Sequence, residues 1–199
     1  MATTAEARDV SIATKSEEES VLAALTLAFS ADPGVRWYFT DPPQFYTYFP
    51  EFSKAYGGKA FDHGTAYYVN DYAGAALWLP PEVQPDNDEI VGVMQAALSE
   101  EKLALVGEFI ERVEKSHPTE PYWELTVLGV EPAQQRKGLG KVLMKPVLEE
   151  CDREGTDAFL ISSNVQNLSF YLRHGFEIVD TIQLPTMPPY FPMRREPQT

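Results

Sequence analysis

A strand, a glycine turn, a helix and a second strand follow one another at the centre of this chain. Residues 123–130 are bulky and β-branched, which favours a strand, and residues 157–163 form a continuous apolar run typical of a buried strand. Residues 138–153 between them have a helical pattern. A strand–helix–strand unit of this length predicts a parallel pair with a right-handed crossover. The chain must therefore fold around a sheet that contains such a pair.

The N-terminal half is expected to supply an edge strand in "DVSIAT", a hairpin and several helices. Ser16 can cap a helix in "KSEEESVLAALTLAFSADP", and Pro33 should end it. "TAYYV" and "AALWL" on either side of "NDYAG" predict the hairpin. Residues 82–120 predict two acidic helices that break near Ser99. The aromatic residues of segment 34–61 indicate either core packing or one wall of a substrate pocket.

The C-terminal half after the crossover is expected to add a helix and two strands. The helix is "NVQNLSFYLRHG", with Asn164 near its start and Gly175 as its stop, and the strands are "FEIVDTIQL" and "PYFPMRRE". Pro192 should interrupt the last strand. In the crossover helix, Pro146 should cause a kink or a break, and Cys151 is expected to be a buried thiol.

Positive charge is concentrated at the glycine turn, although the formal net charge of the chain is -14. Arg136, Lys137, Lys141 and Lys145 lie between residues 132 and 148, a segment without any acid. Such a cluster suggests a bound polyanion. The acidic remainder of the chain argues against general nucleic-acid binding. It is compatible with a cationic small substrate, and equally with acidity that serves solubility alone.

Two common phosphate-binding motifs do not fit the turn. A Walker loop requires glycine at the position of Gln135 and Ser or Thr at that of Val142, and a dinucleotide fingerprint requires glycine at that of Leu143. The pattern Gln-x-x-Gly-x-Gly, from Gln135 to Gly140, does fit. Its glycines allow close backbone approach, and the start of a helix directs free N–H groups at an anion, so the turn could clamp a diphosphate. The same basic helix start could also be only a solvated surface.

Two longer segments resemble the GCN5-related N-acetyltransferase (GNAT) superfamily. "LTVLGVEPAQQRKGLGKVLM" is similar to motif A of the family, and "SSNVQNLSFYLRHGFEIV" is similar to motif B, with Asn164, Tyr171, Gly175 and Phe176 in register. The branch that the chain resembles most is the puromycin N-acetyltransferases, through "DPGVRWYFTDP", "GAALWLPPE", "YWELTVLGV", "LSFYLRHGF" and "PMRRE". The likeness extends over most of the chain from about residue 10.

The resemblance implies an α/β (α+β) fold with a mixed, mostly antiparallel sheet of six to seven strands. Helices should flank the sheet, and the central parallel strands should splay apart. We expect a single domain over residues 10–196 and a disordered N-terminus over residues 1–9. Acetyl-CoA is the implied co-substrate, and no metal is expected. The residues implied to bind it are Leu128, Gly129, Val130, Gln135, Arg136, Lys137, Gly138, Leu139, Gly140, Lys141, Asn164, Asn167 and Tyr171.

The resemblance also implies three catalytic roles. Tyr171 would be the general acid that protonates the coenzyme A thiolate; the alternative is a core aromatic beside Phe170. Glu124, six residues before Val130, matches the glutamate base of the histone-acetyltransferase branch, but the puromycin branch tends to have an aromatic residue there, and an exposed strand-end glutamate is the alternative. The Leu128 N–H is the hypothesis for the oxyanion donor. Asn164 could bind the pantetheine arm, cap its helix, or do both.

The function that follows is acetyl transfer from acetyl-CoA to an amine of a small molecule by direct attack on the thioester. Transfer to a protein or peptide amine, and a non-catalytic acyl-CoA-binding module, are the alternatives. A cytoplasmic location is expected, because no signal peptide or membrane-spanning run is evident. Neither nucleic acid nor membrane is an expected partner, and the oligomeric state stays open between monomer and homodimer.

Overall fold

Seven strands form one mixed sheet in the computed structural model, which describes residues 9–198. The strands are β1 (Val10–Ile12), β2 (Ala66–Val69), β3 (Gly74–Leu79), β4 (Tyr122–Val130), β5 (Asp157–Ser162), β6 (Glu177–Ile178) and β7 (Phe191–Arg195). Their order is β1-β2-β3-β4-β5-β7-β6, and every neighbouring pair is antiparallel except β4–β5. This confirms the predicted fold class. The N-terminus predicted to be disordered spans residues 1–9. Residues 1–8 of it lie outside the residues that the structure describes.

Helices cover both faces of the sheet. They are α1 (Glu18–Ala28), α2 (Pro33–Tyr38), α3 (Pro42–Gly57), α4 (Ala60–His63), α5 (Asn87–Ala97), α6 (Glu100–Glu114), α7 (Leu139–Glu154) and α8 (Leu168–Leu172). Helix α7 is the crossover between β4 and β5, as the sequence predicts. The break between α5 and α6 also lies where it is predicted, because the Ser99 side chain caps α6 by accepting from Lys102 N at 3.4 Å.

Two predictions for the first helix are wrong. The helical segment begins one residue after Thr14, which forms a capping box with Glu17, so Ser16 is not the cap. Helix α1 already ends at Ala28, and Pro33 is the first residue of α2. The reason is that Pro lacks only an N–H that the first turn of a helix does not use, so it begins a helix as readily as it ends one.

The C-terminal elements are shorter than predicted. Only Glu177–Ile178 of "FEIVDTIQL" is a strand, and the chain turns away where Asp180 accepts a hydrogen bond from the next N–H at 2.7 Å. One isolated bridge joins Ile182 to Tyr190. The helix after β5 is a 3-10 turn followed by α8, and it stops at Gly175, whose φ is 84°. Helix α7 continues through Pro146, so the expected break is absent.

The apolar face of α7 packs on the sheet and forms the largest part of the core. Leu143, Met144 and Cys151 are fully buried there with Trp78 of β3, which confirms the prediction for the thiol. Three aromatic residues of segment 34–61 lie in a second cluster between α2, α3, α5 and α6: Phe39, Phe45 and Phe49. For these three, core packing is the correct alternative.

Arg195 at the end of β7 ties three elements together. It is 3% exposed, donates to Asp152 of α7 at 2.8 Å, and donates through Nε to the His174 carbonyl after α8 at 2.9 Å. The Arg195 guanidinium lowers the pKa of the Asp152 carboxyl. The buried cation therefore fixes the end of α8 against the helix that follows the glycine turn.

Replacing Asp152 by Asn should lower the free energy of unfolding by about 2 kcal/mol at neutral pH, because it leaves Arg195 without its counter-charge. The loss is below that for a fully buried pair, since the Asp152 side chain is 30% exposed. Because the pKa of Asp152 is lower in the folded protein than in the unfolded chain, its charge stabilises the fold at pH values above the unfolded pKa near 4. The difference in unfolding free energy between wild type and Asp152→Asn should therefore vanish as the pH falls through the folded pKa. Urea unfolding across pH measures it, with exposed Asp62→Asn as control. A difference independent of pH would contradict the ion-pair explanation.

Candidate active site

A β-bulge at Thr126 opens the centre of the sheet. Leu77 of β3 pairs with Val127, whereas the next residue, Trp78, pairs with Leu125, so Thr126 is an additional residue in β4. Its hydroxyl donates to the Leu77 carbonyl at 3.0 Å. A bulge bends the strand that carries it, and β4 leaves its parallel neighbour at this point.

The two parallel strands pair over only half of β4. Residues Tyr122 to Leu125 pair with Asp157 to Leu160, and no pairing joins the strands beyond Leu125. A cleft of about 930 Å³ begins where they separate, bounded by Leu128 to Val130 of β4, the glycine turn, and the segment from Asn164 to His174. This is the splay that the sequence predicts.

Backbone groups of β4 point into this cleft. The N–H of Glu131 donates to the Ala73 carbonyl at 2.9 Å, on the side of β3. Because alternate residues of an antiparallel strand turn their N–H and C=O groups to opposite sides, those of Leu128 and Val130 face the gap. The Val130 carbonyl indeed accepts there from the Gln135 side chain at 3.2 Å. The Leu128 N–H is therefore available to a ligand in the cleft.

The glycine turn presents the start of α7 to the same cleft. Gly138 has φ 81° and Arg136 has φ 62°, both in the left-handed region, which aims the chain into the helix. No side chain of residues 9–198 caps α7, and its first recorded internal bond is from Val142 N to the Gly138 carbonyl at 3.4 Å. The preceding N–H groups of the first turn, with the positive end of the helix dipole, are free for an anion.

The start of α7 has little room for a side chain at position 140. A Cβ added to Gly140 would lie 3.1 Å from the Phe170 ring of α8. Arg136 and Lys141 line the cleft, while exposed Lys137 is bonded to Gln134 at 2.7 Å. A narrow backbone cradle with free N–H groups and adjacent cations fits the diphosphate of coenzyme A. If acetyl-CoA binds there, residues 128–130 would hold its acyl arm, and it would supply a thioester as the acetyl donor.

The wall opposite β4 contains Asn164 and Tyr171. The Asn164 side chain accepts from Gln166 N at 3.0 Å, so it caps the 3-10 turn as predicted, and it also lines the cleft. Tyr171 is 8% exposed and packs between Phe170 and Phe176, with ring centroids 5.2 and 6.0 Å away. Burial, and secondarily the charge of Asp32, raise the pKa of Tyr171 well above its usual value, so its phenol stays protonated.

Glu124 lies apart from the other predicted catalytic residues. It is 6% exposed, so the exposed strand-end alternative is wrong, and its carboxylate accepts from the Tyr56 hydroxyl at 2.8 Å. Burial raises its pKa, against the effect of that hydrogen bond. It lines a separate pocket of about 220 Å³ with residues 82–84 and 118–122, and it is not among the residues that line the cleft.

The cleft brings together most of the residues that the resemblance implies. Twelve of the thirteen implied coenzyme-binding residues line it, and Lys137 does not. Sequence reasoning missed Asp32, which also lines it. The sequence does contain a signal for Asp32, because Asp followed by Pro is typical of the cap and first residue of a helix, as it is in α2.

Residues 9–198 lack two features that would bear on function. No described helix is both long and apolar enough to cross a membrane. Within the same residues, no group of three or more His, Cys, Asp or Glu side chains is placed to hold a metal ion.

Solved structures share this architecture. An acetyltransferase of Corynebacterium glutamicum, described as histone acetyltransferase HPA2 and related, matches with a TM-score of 0.68 and 18% identity, over 96% of this chain and 97% of that one. Arylalkylamine N-acetyltransferase 2 of Aedes aegypti matches at 0.67 and 13%, over 97% and 100%. The Drosophila melanogaster polyamine N-acetyltransferase that forms N-acetylagmatine matches at 0.66 and 13%, over 94% and 99%. At such identities the likeness shows the fold.

Sequence comparison gives the family. The uncharacterized N-acetyltransferase C550.08 of Schizosaccharomyces pombe is 29% identical over 153 residues, or 68% of this chain. The chain spans 61% of the length of that relative. The family model described as Acetyltransferase (GNAT) family matches residues 35–176, which include the bulged strand, the glycine turn and Tyr171. The chain belongs to the GNAT family of acetyltransferases.

Proposed function

We propose that this protein transfers the acetyl group of acetyl-CoA to a primary amine of a small molecule. The observation that carries the proposal is the cleft at the splay of β4 and β5. One end holds an uncapped helix start with cations, and the other holds free backbone N–H groups opposite a buried tyrosine. Such a cleft provides an anion clamp, an oxyanion donor and a proton donor in one place.

Each group has a defined task in the proposed reaction. First-turn N–H groups of α7 bind the diphosphate, with Arg136 and Lys141 adjacent. The Leu128 N–H stabilises negative charge that develops on the thioester carbonyl oxygen, an interaction that strengthens in the transition state. Tyr171 donates its phenolic proton to the leaving thiolate. Metal is not part of this scheme.

The acceptor class is argued from charge and from the structural neighbours. A chain of net charge -14 attracts cations, and amines with a pKa near 10 are cationic at neutral pH. The Aedes and Drosophila neighbours act, by their names, on arylalkylamines and agmatine. A small primary amine is therefore the proposed acceptor. Membership of the puromycin N-acetyltransferase branch belongs to the same proposal and rests on the sequence resemblance. The cytoplasmic location stays an expectation.

A screen of amines with thiol detection tests the function. Purified protein with acetyl-CoA should release coenzyme A faster in the presence of at least one arylalkylamine or polyamine than in their absence. Calorimetry should show that acetyl-CoA and coenzyme A both bind. Binding without amine-dependent thiol release over a broad panel would indicate an acyl-CoA-binding module, and absence of binding would refute the interpretation of the cleft.

A further inference from the structure

The cleft contains one carboxylate that no sequence motif assigned. Among residues 9–198, Asp32 is the only acidic residue that lines it, and it is 8% exposed. It lies in the connection between α1 and α2, and it lines the same cleft as Tyr171. A buried carboxylate therefore lines the cleft in which the thioester would lie.

The Asp32 carboxylate is held rigidly by backbone. Its Oδ1 accepts from Gly34 N at 3.0 Å and from Val35 N at 3.1 Å, as the cap of α2. The side chains of Ser163 and Asn164 face the same group. Burial nevertheless raises its pKa above the usual value for Asp, because it outweighs these hydrogen bonds.

No cation of residues 9–198 compensates the charge of Asp32. No ion pair includes it, and the titratable groups that face it are two buried phenols, Tyr171 of α8 and Tyr190 before β7. Tyr190 packs against the first turn of α2, since a Cβ added to Gly34 would lie 2.4 Å from its Oη. A buried carboxylate without a counter-charge is costly, and an ammonium group in the cleft would supply that charge.

We propose that Asp32 receives the ammonium group of the acceptor and removes its proton; this inference rests on the proposed function. The carboxylate takes one proton from R–NH3+, which leaves a neutral amine with a free electron pair. The nitrogen then forms a bond to the acetyl carbon while the carbon–sulfur bond breaks. Tyr171 protonates the sulfur and regains a proton from the amide nitrogen, and Asp32 releases its proton to solvent. The products are the amide, the thiol and one proton.

Glu124 is less well placed for this step. It pairs with Leu79 of β3, whereas Leu128 pairs with Ala76, so the two are about 10 Å apart at the usual rise of a strand, and Glu124 lines the other pocket. Its carboxylate is also bonded to Tyr56. Asp32 and Tyr171, in contrast, line the same cleft.

The test compares Asp32→Asn with Asp41→Asn. Both aspartates cap a helix through their side chains, and Asn caps equally well, so neither change should unfold the protein. Asp41 is exposed and does not line the cleft. With phenethylamine and agmatine as probe acceptors, Asp32→Asn should lower kcat/KM about 100-fold at neutral pH, whereas Asp41→Asn should not change it.

Two further readouts separate a base from a structural role. The kcat/KM of the wild type should fall as pH drops through the pKa of its base, and this acidic limb should be missing in Asp32→Asn but present in Glu124→Gln. In calorimetry on the coenzyme A complex, Asp32→Asn should bind phenethylamine at least ten-fold more weakly. Its affinity for 2-phenylethanol, which lacks the charge, should stay the same.

The outcomes are distinguishable from failure of the proposed function. A wild type that acetylates an amine while Asp32→Asn keeps its rate and its acidic limb would overturn the inference alone. Loss of the acidic limb in Glu124→Gln would assign the base to Glu124 and overturn it as well. A wild type that releases no thiol with any amine would overturn both proposals.

Discussion

Replacing Gly140 by Asp should lower the affinity of the protein for coenzyme A about 1,000-fold. Gly140 lies in the first turn of α7, where the free N–H groups face the cleft, and the Phe170 ring leaves only 3.1 Å for a Cβ. The new carboxylate would project among the diphosphate oxygens. Repulsion between charges about 4 Å apart, partly screened, costs roughly 4 kcal/mol, which corresponds to that factor.

Loss of binding should occur without unfolding, although the Phe170 ring must shift by a few tenths of an ångström to admit the new Cβ. An acidic residue in the first turn favours the helix, and Asp costs less backbone entropy than Gly. Gly92→Asp in α5 is the control for the added charge, because Gly92 is also helical and a Cβ added there would contact nothing within 4 Å. Calorimetric titration of coenzyme A into both variants measures the effect. Normal binding by Gly140→Asp would show that the diphosphate lies elsewhere.

The sheet centre and the turn could be predicted because their signals are local. The run from Tyr122 to Val130, the glycines at 138 and 140, and the apolar strand at 157–162 each specify an element through neighbouring residues. The basic cluster beside free helix N–H groups likewise follows from residues adjacent in sequence. Ten of the 22 residues that line the cleft could therefore be predicted from one continuous stretch, residues 128–141.

What could not be predicted depends on contacts between distant segments. The bulge at Thr126 is defined by its register with β3, about 50 residues earlier. Glu124, which precedes the bulge, is not among the residues that line the cleft. Asp32 and Tyr171 line the same cleft although they are far apart in the sequence, and no spacing in the sequence encodes that arrangement. The sequence therefore indicates Glu124 of β4 as the candidate base, whereas the carboxylate that lines the cleft belongs to Asp32, between α1 and α2.

Replacing Tyr171 by Phe should lower kcat about 1,000-fold, within the range for loss of a general acid or base, and leave the affinity for coenzyme A within about three-fold. Phe keeps the ring contacts with Phe170 and Phe176 and removes only the hydroxyl. Because burial raises the pKa of Tyr171 well above its usual value, the phenol is a proton donor throughout the neutral and mildly alkaline range. Steady-state kinetics and calorimetry separate the two quantities.

Exposed Tyr46, which is not among the residues that line the cleft, provides the control for the loss of a hydroxyl. Tyr46→Phe should keep both kcat and coenzyme A affinity. The size of the Tyr171 effect should also depend on the leaving group, since a thiolate of lower pKa needs less protonation. An acyl donor with a more acidic thiol should therefore restore part of the rate of Tyr171→Phe. Unchanged turnover with acetyl-CoA would instead reduce Tyr171 to a packing residue, and the proton would then reach the sulfur from water.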